Sequence, residues 1–100
     1  MSDYTDSTLE TQLRECGYVY LIGVKGHKVY KIGHSTNPER RIKTLQAQRD
    51  VELEIVGVIP YHNYQQAEFY WQRKFARYQL SGEWFALPDE QVQIFKDQLL

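Results

Sequence analysis

Residues 17–35, GYVYLIGVKGHKVYKIGHS, decide the fold. Two runs rich in Tyr, Val and Ile, residues 18–24 and 28–34, flank the dipeptide Lys25-Gly26, which is the pattern of a β-hairpin. If Lys25 and Gly26 are the two loop residues, Val24 pairs with His27 and Tyr20 stands directly opposite Lys31. A period of two then puts Val19, Leu21, Tyr30 and Ile32 on one face, the core side, and Tyr20 with Lys31 on the other. The hairpin is unusual in its polar content: three tyrosines, three lysines and two histidines in nineteen residues. Tyr beside Lys reads either as a structural cross-strand pair or as part of a site.

Working outward, STNPERRIKTLQAQ (35–48) predicts a helix with Asn37 as cap and Pro38 in its first turn. In VELEIVGVI (51–59), Val51, Leu53, Ile55 and Gly57 alternate with Glu52, Glu54 and Val56, a third strand that Pro60 ends. Residues 64–78 predict a longer helix with Tyr64, Ala67, Trp71, Phe75 and Tyr78 along one stripe. GEWFALP (82–88) reads as a short extended piece, and Pro88 opens a last helix striped by Val92, Phe95 and Leu99. Upstream, the spacing of Ser7 and Glu10 predicts a short capped helix after a loose tail. The expected organisation is therefore an N-terminal tail and short helix over 1–16, then one domain over 17–100. Its order is β-β-α-β-α-(β)-α, an α/β (α+β) fold with a small central antiparallel sheet of about three strands flanked by helices.

Composition narrows the class. One hundred residues suit a single core, and 42% hydrophobic with 25% charged residues is the composition of a globular domain. No apolar run approaches the ~20 residues of a membrane span, and MSDYTDSTLE is unlike a signal peptide. The expectation is a cytoplasmic protein with no membrane partner. A single Cys16 excludes an intramolecular disulfide and a cysteine zinc cluster, and the three histidines lack zinc-ligand spacing. There is no glycine-rich phosphate loop and no nucleophile elbow. The net charge of −1 conceals a local excess. Between Lys25 and Arg49, seven basic residues face only Glu39, a balance of +6. Lys25, Lys28, Arg40, Lys43 and Arg49 are thereby candidate phosphate contacts on DNA.

The ordered set of Tyr20, Lys31 eleven residues later, the run KIGHS, Arg41 eight residues after Gly33, and Glu68 on the second long helix resembles the GIY-YIG nuclease superfamily, its short phage and bacterial branch in particular. The resemblance covers about residues 17–87. It places Tyr18, Val19 and Tyr20 on the GIY positions and Lys31, Ile32 and Gly33 on YIG, with lysine replacing the second tyrosine. It implies a metal-dependent DNA endonuclease using Mg²⁺ or Mn²⁺, with Tyr20 and Lys31 at the reacting centre, Arg41 on the phosphate and Glu68 holding the metal. The family's later polar residue, often asparagine, has no match in SGEWF. His34, next to the YIG-like glycine, is a candidate for touching phosphate or the attacking water.

Elementary chemistry agrees with that set. Phosphodiester hydrolysis needs an activated water, positive charge on the nonbridging oxygens and stabilisation of the leaving oxygen. Arg41 can fork onto phosphate. Tyr20 as a base requires an environment that lowers its pKa from about 10, and the sequence leaves open whether Tyr20 or Lys31 takes the proton. On a 3.6-residue period Arg41 reaches towards the sheet while Arg40 faces away, and Glu68 points towards the packed side near Trp71 and Phe75. The alternative function is a weak or inactive GIY-YIG-like nucleic-acid-binding module. A protein-interaction domain must treat the basic cluster as accidental. With no added DNA-reading module, targeting would fall to a partner protein or a homodimer.

Overall fold

The computed structural model describes residues 17–98. The short helix expected after Ser7 and the end of the last stripe at Leu99 lie outside the described residues. The elements run β1 (Gly17–Val24), β2 (Val29–Ser35), α1 (Pro38–Ala47), β3 (Leu53–Tyr61), α2 (Tyr64–Lys74), a 3₁₀ turn (Ala76–Tyr78), β4 (Gln79–Ser81), β5 (Trp84–Ala86) and α3 (Asp89–Asp97). The strands form one antiparallel sheet in the order β3-β1-β2-β5-β4. The sheet has five strands where the sequence suggested about three. The two additional strands are three residues each, too short for an alternation to register, and β4 is exposed throughout.

The hairpin forms as read, but its register differs by two residues. Tyr20 pairs with Gly33 and Lys31 with Ile22. The turn explains the shift. A two-residue type I′ loop needs positive φ at both central residues; only Gly26 has it, at 83°. The His27 N–H still closes a turn onto Val24 at 3.0 Å, while the Lys25 N–H is taken by the Glu52 carbonyl at 2.9 Å, and the tip spans Lys25 to Lys28. A shift of two preserves parity, so every side chain keeps its expected face.

β3 departs from its expected alternation. Its pairing with β1 slips between Leu21 and Ile22, so that Leu21 meets Gly57 and Ile22 meets Ile55, a β-bulge around Val56. Leu53 consequently packs on one side of the sheet and Ile59 on the other. Pro60 does not end the strand. It pairs with Tyr18 inside β3, which a proline can do because β3 lies at the sheet edge.

Two apolar layers result. On one face Val19, Leu21, Ile32 and Ile59 pack with Trp71 and Phe75 of α2, Phe85 and Leu87, and Val92 and Phe95 of α3. On the other face Tyr20, Ile22 and Leu53 pack with Leu45 of α1, flanked by Ile42, Val58 and Trp84. The α2 stripe is as expected through Phe75, but the α-helix stops at Lys74 and a 3₁₀ turn carries Tyr78.

Candidate active site

Tyr20 lies in the middle of β1 with 2% of its surface exposed. Its ring fits only because its pairing partner is a glycine: a Cβ on Gly33 would collide with the Tyr20 hydroxyl and ring. The Arg41 side chain approaches the same hydroxyl closely enough for its charge and hydrogen-bonding capacity to act on it. Local sequence places Arg41. The Asn37 side chain accepts from the Arg40 N–H at 3.1 Å, Pro38 begins the helix, and Ser35 Oγ accepts from the Asn37 N–H at 2.9 Å. Ile42 and Leu45 then seat α1 on the Tyr20 face. Burial raises the Tyr20 pKa above 10, and the Arg41 hydrogen bond and charge offset this only in part. The sequence-based condition for Tyr20 as a base, a lowered pKa, is not met in the free protein. Tyr20 stands as a neutral hydroxyl able to donate.

Lys31 shares that face, diagonal to Tyr20 rather than opposite it, and is 7% exposed. Its ammonium pairs closely with the Glu83 carboxylate. It also lies 5.8 Å from the centre of the Trp84 ring, on which the Arg49 guanidinium stacks at 4.6 Å. An open depression of about 390 Å³ flanks this site on the β3 side, lined by Tyr18, Asn37, Pro38, Glu39, Ile55 and Val58 among others.

Glu68 occupies the other face. It is 7% exposed, as its position on the α2 period requires. One carboxylate oxygen is in close contact with His34 Nδ1, and the other accepts from Gln72 Nε2 at 2.8 Å. The His34 ring packs on Tyr64 at 5.2 Å, and Tyr64 in turn covers Gly17, where a Cβ would come within 2.6 Å of that ring. His34 and Glu68 are thus brought together, as are Tyr20, Arg41 and Lys31, but the two groups sit on opposite sides of β2. Consecutive residues link them: Gly33 is the floor under Tyr20, and His34 holds Glu68. β5 pairs with β2 only over Val29–Lys31, and the Ile32 N–H bonds to the Glu83 carbonyl at 3.1 Å. Among the described residues no outer strand borders Gly33 to Ser35, so the sheet edge is open where the two groups meet.

The basic residues do not form one stripe. Lys25 and Lys28 stand at the hairpin tip, the far end from His34, and each is 3.5 Å from an acid, Glu52 and Asp89 respectively. Arg40 and Lys43 are exposed on α1, and Arg49 is drawn onto Trp84. Sequence reasoning did not single out Glu83, Gln72 or the polar setting of Trp84. For Glu83 a signal existed: it is the one acid between Glu68 and Asp89.

The metal implied by the resemblance can be tested against these donors. Among the described residues no three His, Cys, Asp or Glu side chains gather into a cation cage. Mg²⁺ does not require one, since one or two carboxylates with water and substrate phosphate suffice. Glu68 supplies such a carboxylate provided His34 yields its oxygen. No curated protein and no solved structure matches this chain. Residues 17–99, which include the hairpin, α1 and the Glu68 helix, match the T5orf172 domain, a phage-associated domain related to GIY-YIG-like nuclease folds, and the chain belongs to that family.

Proposed function

We propose that this protein is a GIY-YIG-type endonuclease that hydrolyses DNA phosphodiester bonds with Mg²⁺ or Mn²⁺. The observation that carries the reading is the Tyr20 hydroxyl, seated over Gly33 and within the influence of Arg41, at the open end of a strand whose next residue, His34, grips the buried Glu68. A phosphate at this edge would meet the Arg41 guanidinium, which can leave the Tyr20 hydroxyl to fork onto two nonbridging oxygens. Tyr20, neutral, would donate a hydrogen bond to the attacking water or to a phosphate oxygen. Lys31 is held by Glu83 on the same face of the sheet as Tyr20. Glu68 would hold the cation, whose chemistry is Lewis acidity towards the phosphate and its water. His34, released from Glu68, would then offer a ring nitrogen to the water's proton.

The alternative, a binding module without turnover, draws support from two features. The Tyr20 pKa is raised, and Lys31 is engaged by Glu83. One experiment separates them: labelled duplex, branched and single-stranded DNA is incubated with the protein in Mg²⁺, Mn²⁺ or EDTA. Endonuclease action requires new ends that depend on metal and vanish in Glu68→Gln. That variant keeps the side-chain shape, so it should melt near the wild type without metal, lose any metal-induced rise in Tm and still bind DNA. Binding without new ends under every condition would leave the module reading.

A further inference from the structure

The outer face of α2 carries a feature that the cleavage site does not use. Phe69 and Tyr70 are 61% and 57% exposed, a large apolar display on a helix whose other side is buried through Trp71. Each ring is accompanied by a cation four residues on: the Arg73 guanidinium is 5.6 Å from the Phe69 ring centre, and the Lys74 ammonium 5.9 Å from that of Tyr70. With Gln66 these four side chains line a shallow depression of about 510 Å³. Arg77 follows one turn later, over the Tyr78 ring at 5.4 Å. From Phe69 to Gly82 the chain holds Arg73, Lys74 and Arg77 and no acid, a local charge of +3. Contiguous exposed apolar surface marks interaction sites, and adjacent rings interleaved with cations and free of carboxylates fit one occupant best. Stacked bases need aromatic faces, and the phosphates between them need fixed positive charge. An acid-free rim disfavours a second copy of this surface, because like charges would meet across it.

We propose that the outer face of α2 is a contact surface for single-stranded nucleic acid, with Phe69 and Tyr70 stacking on unpaired bases and Arg73, Lys74 and Arg77 on the intervening phosphates. Duplex DNA buries its base faces and gains only the charge term. Phe69 follows Glu68 directly in the helix, so an unpaired arm on this surface lies beside the proposed cleavage site. The surface does not depend on cleavage occurring.

The test is binding, in EDTA, of fluorescently labelled oligothymidine and of a blunt duplex of equal length. The paired variant Phe69→Ala/Tyr70→Ala should weaken oligothymidine binding roughly tenfold or more per ring and leave duplex binding nearly unchanged. Arg73→Gln/Lys74→Gln should lower the logarithmic salt slope for the single strand by about 0.7 for each phosphate that is no longer neutralised. Circular dichroism checks folding, which such exposed substitutions should not disturb. Equal losses for both DNA forms, or no loss for oligothymidine, would overturn the proposal. A wild-type dimer in solution that the ring variant dissociates would assign the face to a second copy instead. Because no turnover is measured, an inactive protein that still shows the single-strand preference would defeat the endonuclease reading and retain this one.

Discussion

The two faces of the sheet are built on different scales. Towards α2 and α3, ten buried apolar residues close around Trp71, Phe75 and Phe95. Towards α1, four do so, and one of them is Tyr20. At about 1.5–3 kcal/mol for each fully buried large side chain, the first face supplies most of the folding free energy. The second holds a ten-residue helix in place and little more. Each face buries a charged group and treats it differently. Glu68, under the thick layer, has both oxygens engaged within the protein. Lys31, under the thin one, pairs with a Glu83 side chain that is 46% exposed. The lesson is a division of labour: the thick face fixes the sheet, and the thin face can keep a polar tyrosine, an arginine and a lysine close to solvent.

Substitutions can break that contrast, and the largest effect belongs to the thick face. Trp71→Ala should destabilise by about 3–5 kcal/mol, since it removes a ring packed on Phe75 and Phe95 together with the hydrogen bond that Trp71 Nε1 donates to the Tyr61 hydroxyl at 3.1 Å. Urea denaturation measures it; a loss as small as that of a surface change would contradict the ranking of the faces. Next comes Arg41→Ala, exposed on α1, for which cleavage should fall about 10²–10³-fold while the urea midpoint barely moves. Arg40→Ala should weaken DNA binding and spare turnover, and equal losses in turnover would remove Arg41 from its role.

Gly33→Ala sharpens the comparison, because it adds no charge and removes no reactive atom. Its methyl must push against the Tyr20 ring, so a cost of about 1–3 kcal/mol is expected, with cleavage falling through displacement of Tyr20 from Arg41. A crystal structure with Tyr20 unmoved would refute the seat. The smallest effect is on pH dependence. Burial raises Tyr20 and, with help from Asp89, Tyr30 above the ordinary tyrosine value of 10. A proton held more tightly in the folded state stabilises below the unfolded value, and that contribution is lost as pH rises through the folded values. Stability should therefore decline above pH ~10, and less steeply in Tyr20→Phe. An unchanged alkaline slope in that variant would show that Tyr20 titrates in the folded protein as it does in the unfolded chain, contradicting the shift.

Much of this was legible in the chain. Period two in residues 17–35 gave both faces of the hairpin correctly even though the register was off by two, because parity survives an even shift. The helical period put Glu68 on the packed side. The cap at Asn37 and Pro38 located α1. What the sequence hid was set by tertiary pairing. The bulge around Val56 interrupts an otherwise regular alternation, and its one cue, Gly57 beside it, reads as an ordinary strand position. Pro60 reads as a terminator unless the edge position of β3 is known. β4 and β5 are held by pairing with each other and with β2 rather than by their own pattern. The partition of the candidate residues onto two sides of β2 was also beyond linear reading. The parity of Lys31 and His34 implies it, but only the packing of α2 on one side and α1 on the other makes it count. Glu83 sits in the turn between β4 and β5, where a carboxylate reads as solvated until β5 is laid against β2 and brings it to Lys31.

Gly33 and Gly17 have a consequence for how mutational data on this protein should be interpreted. Each is the floor beneath a tyrosine, Tyr20 on one side and Tyr64 on the other, at the same end of the sheet. In a saturation scan scored on activity, both would register as intolerant positions beside Arg41 and Glu68 while holding no group that touches substrate. The profiles of tolerance tell them apart. At a floor position, damage grows with side-chain volume and is indifferent to charge, alanine and serine being the mildest replacements. At Arg41, damage follows the loss of a planar cation whatever the size of its replacement. A scan that reports only the average score per position would count four reactive residues where the proposed site has two and the other two are empty space held open.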